Sequence, residues 1–402
     1  MSEPDHDFAR AHSERLRALI HERIAVAGGA IPFSHFMELA LYAPGLGYYS
    51  AGATKFGAAG DFVTAPELGP LFAECVVEAL APVLRQLGAG EAVLEAPSAQ
   101  TQFVELGGGS GAFAEAAIKH LMTLDAMPSR YAILEPSADL RERQRELLQH
   151  RLTPAAFARV AWLDGPIDTP WQGVLFANEV IDALPTPRFT LRDGEVFEEH
   201  VTLDREGAFA RIDRPADALL SAAVRHVERA LDAPLADGYR SELLPQLPYW
   251  LQAVIGPLQA GALLFVDYGH PRRDYYRPDR RDGTLRAFHR HALADDVFAR
   301  VGLQDLTASV DFTALAEAGT GAGFDFAGYC SQASFLIGNG LEQRVHAHET
   351  RAADEAGRYA VRQQAKQLTL PDAMGERFQA MGFARDVEFE HAFLVGDMSF
   401  RL

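Results

Sequence analysis

The first part of the chain shows the spacing of apolar residues that is typical of helices. Apolar residues recur at helical intervals from Phe8 to about Gly28 and again over Phe33–Tyr42, after which proline and glycine follow. A third helix is predicted to begin after Thr64–Glu67 and to end near Leu87. These helices, with the glycine-rich loop between the second and the third, predict a helical amino-terminal segment over residues 1–88.

The pattern changes at about residue 102, where short apolar runs begin to alternate with helical stretches. Such alternation is typical of a parallel sheet covered by helices. We therefore predict a Rossmann-like α/β domain over residues 89–402. A hairpin that turns at Asp193-Gly194 begins an insertion into this domain at about 188–260. The predicted strands are Phe103–Leu106, Tyr131–Leu134, Val160–Leu163, Val174–Ala177, Leu263–Val266 and Val387–Val395.

A glycine-rich turn, with Gly107, Gly109 and Gly111 at alternate positions, lies between the first of these strands and a helix. Glycine lets the backbone approach a ligand where any Cβ would collide, and the helix start presents free N–H groups. Glu105 precedes the turn, and the next strand ends in Glu135, whose carboxylate can accept hydrogen bonds from both hydroxyls of a ribose. The spacing resembles the first motif of class I S-adenosylmethionine (SAM) methyltransferases, whereas a dinucleotide fingerprint needs Gly-x-Gly-x-x-Gly.

Candidate functional residues also follow the third and fourth predicted strands. Trp162 and Asp164 end the third strand, where either could stack on an adenine or accept its amino group. Asn178, Glu179 and Asp182 follow the fourth strand in the segment Asn-Glu-Val-Ile-Asp-Ala-Leu-Pro. Ligands of open α/β sheets bind beyond the carboxyl ends of the strands. We therefore predict that these three polar residues are catalytic, although Asn and Asp also cap turns.

Taken in order, these motifs resemble those of the MidA family of SAM-dependent methyltransferases. The Asn-Glu-x-x-Asp-Ala-Leu-Pro segment follows a Glu-Leu-Gly-x-Gly-x-Gly turn, and both are preceded by Gly-Leu-Gly-Tyr-Tyr at 45–49 and Gly-Asp-Phe-Val-Thr-Ala-Pro-Glu at 60–67. Further similar blocks begin at Val266, Gly283 and Asp305. The resemblance implies that the segment 60–67 folds over the cofactor, with Phe62 and Thr64 as its contacts.

The resemblance also implies a reaction. The family includes the mitochondrial complex I assembly factor that methylates a protein arginine, so we expect SAM as the methyl donor and a protein side chain, most of all arginine, as the acceptor. A respiratory complex I subunit is then the candidate partner. A small-molecule methyltransferase is one alternative, because the insertion could cover either kind of acceptor. A SAM-binding assembly protein without turnover is another alternative. A nicotinamide-dependent dehydrogenase is the weakest alternative, because the glycine spacing does not match the dinucleotide fingerprint.

Composition and charge narrow the classes of function further. The 402 residues include 37 Lys and Arg against 55 Asp and Glu, a formal net charge of −18 that argues against binding to a nucleic-acid backbone. Cys75 and Cys330 stand far apart in the chain, so neither a disulfide framework nor a CxxC motif is predicted, and no metal is expected. No apolar run approaches the ~18 residues needed to span a bilayer. Since the amino terminus also lacks the apolar core of a secretion signal, the expected location is the cytoplasm.

Overall fold

The structure is a computed structural model that describes residues 3–50, 64–89, 101–289, 292–294 and 296–402, with side chains from residue 9 onward. The chain divides into two compact units. The first, the N-terminal unit, comprises Met1–Phe62, Ile181–Gln246 and His270–Asp311. The second, the sheet unit, comprises Val63–Val180, Leu247–Gly269 and Phe312–Leu402.

Both units contain helices. The first two helices along the chain match the sequence-based predictions closely. The α-helices are α1 (Glu3–Val26), α2 (Phe33–Tyr42), α3 (Leu71–Gln86), α4 (Ala112–Thr123), α5 (Ala138–Arg151), α6 (Pro154–Phe157), α7 (Ala218–Ala230), α8 (Leu247–Ile255), α9 (Arg272–Tyr275), α10 (Phe312–Gly321), α11 (Gln332–Gly338), α12 (Leu341–Arg351) and α13 (Glu355–Thr369). Short 3₁₀ helices cover Tyr48–Ser50, Ala65–Leu68, Glu390–Phe393 and Ser399–Arg401. None of the described helices has both the length and the apolar character that crossing a lipid bilayer requires.

The strands form one large sheet and two smaller antiparallel ones. They are β1 (Ala30–Pro32), β2 (Thr101–Leu106), β3 (Arg130–Leu134), β4 (Val160–Leu163), β5 (Trp171–Asn178), β6 (Arg188–Arg192), β7 (Glu195–Leu203), β8 (Phe209–Pro215), β9 (Arg240–Glu242), β10 (Leu258–His270), β11 (Arg286–His289), β12 (Ala292–Ala294), β13 (Asp305–Thr307), β14 (Val310–Asp311), β15 (Asp325–Ser331) and β16 (Phe378–Arg385).

The sheet unit is built on strands in the order β15-β16-β10-β5-β2-β3-β4. The neighbours from β10 to β4 are parallel, while β16 runs antiparallel to both β10 and β15. This arrangement confirms the predicted α/β fold. The chain continues from β2 to β3 on one side and later places β5 on the other side of β2. The strand order therefore reverses at β2, which is where open α/β sheets bind their ligands.

The N-terminal unit combines distant parts of the chain because their strands pair with one another. Strand β1 pairs with β7 (Ala30 opposite Thr202), and the sheet continues in the order β1-β7-β6-β9, with β8 on β7. The hairpin of β6 and β7 turns at Asp193 and Gly194, both at positive φ, as predicted. The predicted boundary near residue 88 does not coincide with the division into units, because α3 belongs to the sheet unit.

The last predicted strand, Val387–Val395, is wrong. The strand lies earlier, at β16, and residues 390–393 form a 3₁₀ helix instead. Gly382 lies in the middle of β16, where a Cβ would lie 2.4 Å from the ring of Phe393. The aromatic residues of the predicted strand therefore pack against this strand, and the glycine that looks like a strand breaker is what lets them approach.

Candidate active site

The glycine turn after β2 has the backbone conformation that its sequence predicts. Gly107, Gly109 and Gly111 have φ angles of +65°, +53° and +88°, in the left-handed region that side chains disfavour. A Cβ at Gly108 would lie 2.8 Å from a methyl carbon of Ile133. Helix α4 begins directly after the turn. The turn thus needs glycine for its backbone conformation and for its contact with β3.

Glu105, two positions before the turn, is a buried acid with a hydroxyl partner. The Tyr131 hydroxyl donates a hydrogen bond of 2.7 Å to Oε2 of Glu105. Burial raises the pKa of Glu105 to about 8, the Tyr131 hydrogen bond opposes this rise, and the charge of Glu135 adds to it. Near neutral pH this carboxyl group can therefore change its protonation state in response to a nearby charge.

Glu135, at the end of β3, is bonded directly to the glycine turn. Its Oε2 accepts a hydrogen bond from the N–H of Gly109 at 3.3 Å, and its Oε1 accepts one from the N–H of Ser137 at 3.0 Å. The side-chain amide of Gln144 donates to the same Oε2 at 3.3 Å. The structure therefore brings together the turn and the acid that the sequence predicts to share one ligand.

The two candidates at the end of β4 differ in their surroundings. The indole N–H of Trp162 donates to Oε1 of Gln144 at 2.9 Å, and the Arg145 guanidinium lies 4.7 Å from the ring centre. The Asp164 side chain is 92% exposed and pairs with Arg141 at 2.8 Å. Trp162 is thus linked to Glu135 and the glycine turn through Gln144, whereas Asp164 lies at the surface.

Of the two predicted contacts in the segment 60–67, Phe62 lies outside the described residues. Thr64 directly precedes a 3₁₀ helix and accepts a hydrogen bond of 3.0 Å from the N–H of Glu67 on its carbonyl oxygen. Glu67 in turn accepts a short hydrogen bond from the hydroxyl of Ser110, within the glycine turn. Glu67 was not among the predicted site residues, although it ends the motif that contains Thr64.

Asn178 and Glu179 lie at the carboxyl end of β5, beside the switch point of the sheet. The Asn178 amide donates a hydrogen bond of 3.0 Å to Oε1 of Glu179. Glu179 has a φ of +55°, and its N–H donates to the carbonyl of Val266 at 2.9 Å. A non-glycine residue in this conformation costs roughly 1–2 kcal/mol, and such strain is concentrated at functional sites.

Asp182 belongs to the N-terminal unit, where it lies among tyrosines and a second acid. The hydroxyl of Tyr42 donates at 2.9 Å to the carbonyl of Ala183, the next residue. Tyr42 stacks on Tyr49, whose hydroxyl donates to both carboxylate oxygens of Asp305 at 2.9 and 3.1 Å. Burial, followed by the charge of Asp305, raises the pKa of Tyr49, and Asp182 contributes in the same direction. The unit thus gathers Asp182 with two separate blocks of the MidA resemblance.

Comparison with known proteins identifies what these motifs belong to. Residues 76–330 match the family model described as "Putative S-adenosyl-L-methionine-dependent methyltransferase". The chain belongs to this family. A crystal structure of a Burkholderia thailandensis protein bound to S-adenosyl-homocysteine is 38% identical, with a TM-score of 0.88 over 100% of this chain and 99% of that one.

Curated relatives extend the comparison to animals. "Protein arginine methyltransferase NDUFAF7, mitochondrial" from Danio rerio is 29% identical over 88% of this chain and 83% of its own length. The human protein of the same name is 28% identical over 87% of this chain and 79% of its own. These matches confirm the MidA resemblance.

The described side chains of this methyltransferase fit its SAM cofactor. SAM carries a sulfonium cation, an ammonium group and a ribose, and has no phosphate, so it suits a turn flanked by buried acids. Glu105 and Glu135 are buried acids beside this turn, and its glycines carry no Cβ that would block the close approach of a ligand. Oδ1 of Asn178 is buried and has no hydrogen-bond donor among the described residues, which leaves an acceptor for a ligand at the end of β5. No group of His, Cys, Asp and Glu that could hold a metal occurs in the described part of the chain.

Proposed function

We propose that this methyltransferase acts on a protein side chain, and that the side chain is arginine. The observation that carries the proposal is the placement of Glu179 at the carboxyl end of β5, where its backbone is strained and its Oε1 accepts a hydrogen bond from Asn178. The curated relatives named as protein arginine methyltransferases support the same acceptor. The net charge of −18 also favours a basic acceptor peptide.

An arginine acceptor explains why a carboxylate is needed. The guanidinium group is always protonated, and its lone pairs are delocalised. SAM supplies an activated methyl group when it is bound. Glu179 would accept paired hydrogen bonds from the guanidinium, fix its orientation and hold the proton that the reacting nitrogen gives up. Asn178 would fix the orientation of Glu179, and Asp182, in the N-terminal unit, stays a predicted catalytic residue.

Glu179→Gln tests this role because it keeps the shape of the side chain and removes its charge. We expect the variant to bind S-adenosyl-homocysteine in calorimetry as the wild type does. It should lose methyl transfer by about a hundredfold or more, since a charged hydrogen-bond acceptor and a proton acceptor are both removed. Glu195→Gln, at the exposed start of β7, is the matched control and should retain full transfer.

The acceptor class is identified with labelled SAM and an extract of cells that lack the enzyme. The proposal requires that the label enters the protein fraction, that acid hydrolysis yields methylarginine, and that Glu179→Gln abolishes the signal. Label in the small-molecule fraction would instead establish a small-molecule methyltransferase. Cofactor binding without any transfer would indicate an assembly protein.

We further propose a cytoplasmic enzyme whose partner is a respiratory complex I subunit, which mass spectrometry of the labelled protein would identify.

A further inference from the structure

Gln144 is a fully buried polar residue in a helix that is otherwise largely charged. It lies in the middle of α5, whose sequence ADLRERQRELLQHR is typical of a solvent-exposed helix. Its side chain has no exposure to solvent. A buried amide must find hydrogen-bond partners, since leaving its groups unpaired costs several times more than a typical hydrogen bond contributes.

The partners of Gln144 belong to three separate parts of the predicted cofactor site. Its Nε2 donates to the carbonyl of Gly109 at 2.9 Å and to Oε2 of Glu135 at 3.3 Å. Its Oε1 accepts from the indole N–H of Trp162 at 2.9 Å. Rotating the amide by half a turn would place oxygen against oxygen and donor against donor, so the three partners fix one orientation.

Gln144 also contacts the glycine turn sterically. A Cβ at Gly108 would lie 3.0 Å from Nε2 of Gln144, and one at Gly111 would lie 3.4 Å from its Cα. The turn therefore packs on this residue along its length. A change in the shape or hydrogen bonding of the Gln144 side chain would reach the turn, the acid at the end of β3 and the indole at the end of β4.

We propose that Gln144 is a positioning residue for SAM, which holds Gly109, Glu135 and Trp162 in one fixed arrangement. The inference concerns the methyl donor and is independent of the acceptor proposed above. It rests on the prediction that Glu135 and the glycine turn contact the donor. Because Gln144 acts through these groups, its loss should weaken donor binding more than it slows turnover at saturating donor.

The test replaces Gln144 with leucine, which has nearly the same volume and none of the three hydrogen bonds. We expect the dissociation constant for S-adenosyl-homocysteine in calorimetry to rise about tenfold or more, with unchanged stoichiometry. The KM for SAM should rise similarly, while kcat changes little. The matched control is Gln332→Leu, which removes another fully buried amide of the same unit, bonded to the carbonyl of Leu368 at 3.0 Å. It should lower the melting temperature and leave the dissociation constant unchanged.

Gln144→Glu provides a second readout that a purely structural residue would not change, and it keeps the proposal testable if the leucine variant does not fold. At neutral pH the new carboxylate faces the carboxylate of Glu135 and the carbonyl of Gly109. The other titratable groups of this region are Glu105, which is largely protonated at this pH, and the Arg145 guanidinium. On acidification the pair shares a proton and the hydrogen bond to Glu135 is restored. Affinity for S-adenosyl-homocysteine should therefore recover toward the wild-type value as the pH is lowered.

Two outcomes would overturn the proposal. One is wild-type affinity in Gln144→Leu with only a lower melting temperature. The other is a Gln144→Glu variant whose affinity, relative to wild type, does not change with pH. Glu135→Ala separates this failure from an error in the underlying assignment. If it weakens binding while Gln144→Leu does not, only the role of Gln144 is wrong, whereas wild-type affinity in both variants would refute the cofactor assignment itself.

Discussion

Among the residues that the structure describes, each unit buries two glutamates, but the partners shown for these acids differ. In the N-terminal unit Glu199 and Glu242 have no solvent exposure, and Arg188 lies between them, with nitrogen–oxygen distances of 3.1 Å and 3.6 Å. Arg240 and Arg211 also pair with Glu199. Glu199 is thus neutralised by arginines of the same unit, whereas Glu242 also accepts hydrogen bonds from the Tyr275 hydroxyl and from Thr284.

Neutral groups donate hydrogen bonds to the two buried glutamates that the structure describes in the sheet unit. Glu105 accepts from the Tyr131 hydroxyl, and Glu135 accepts from Gly109, Ser137 and Gln144. Hydrogen bonds from neutral groups stabilise a carboxylate less than an adjacent cation does. Burial is the main cause of the raised pKa of Glu105, and the hydrogen bond from Tyr131 offsets only part of the rise.

The difference distinguishes acids that serve the fold from acids that can serve a ligand. A carboxylate already paired with a guanidinium has little charge to offer a second cation, and removing its partner leaves an uncompensated buried charge. A carboxylate held by a hydroxyl or an amide can still attract the cationic groups of SAM. By this criterion Glu105 and Glu135 are acids that could serve a cofactor, and the arginine network around Glu199 is structural.

The largest effect is expected from Arg188→Leu. The substitution leaves Glu199 and Glu242 buried with less compensation, so the free energy of unfolding should fall by about 3–5 kcal/mol. Urea unfolding measures this loss. The control is Arg273→Leu, an exposed arginine of the same unit that pairs with the exposed Asp232 and should cost less than about 1 kcal/mol. Equal losses in the two variants would show that the network does not stabilise the fold.

The sequence predicts the sheet unit better than the N-terminal unit for a physical reason. The strands and glycine turn of the sheet unit are local patterns, since apolar runs and a Cβ-free bend are visible within a few residues. The N-terminal unit depends on the pairing of β1 with β7, which joins Ala30 to Thr202 and leaves no periodic signal.

Some residues of the candidate site could likewise be predicted from local sequence patterns, and others could not. Glu135 and Gly109 are predicted from their positions at strand ends, and the structure places them in contact. Gln144 was missed because its burial depends on the packing of α5, and its sequence neighbours are charged. Phe62 lies outside the described residues, so its role stays a prediction.

Burial of Glu105 should make the free energy of unfolding depend on pH. Its raised pKa, about 8 against an ordinary value of 4.5, means that between these values the folded protein retains a proton that the unfolded chain has lost. The free energy of unfolding should therefore fall as the pH rises from 5 to 8.5, by roughly 2–4 kcal/mol. Glu105→Gln has no titrating group at this position and should lose that part of the dependence.

Urea unfolding at both pH values, for wild type and Glu105→Gln, measures this difference. Glu105→Gln should also bind SAM more weakly than the wild type. The acid whose burial destabilises the fold is the same acid that can attract a cation. A variant that follows the wild-type pH profile would show that Glu105 does not titrate in this range. A variant that binds SAM as tightly as wild type would remove Glu105 from the cofactor site.

The smallest effect concerns an acid of the sheet unit that does have basic partners, Glu78 in α3. His120 bonds to it at 2.9 Å, and Arg344 lies 3.7 Å away. The hydrogen bond with His120 is the main cause that lowers the pKa of Glu78, and the charges of His120 and Arg344 act in the same direction. Because the folded pKa lies below the unfolded one, this stabilisation is present at neutral pH and is lost as the pH falls below about 4.5.

Glu78→Gln should therefore cost about 1 kcal/mol at pH 7, and the difference from wild type should be smaller at pH 3.5, below the ordinary pKa of the carboxyl group. Urea unfolding at both pH values measures it, with Glu115→Gln, which breaks a pair with the exposed Lys119, as a control of smaller effect. A loss that is the same at both pH values would point to packing rather than charge. Since Glu78, which is half-buried, has cationic partners as Glu199 does, its variant should bind S-adenosyl-homocysteine normally. That result would show that the partner of an acid, and not the unit that contains it, decides its role.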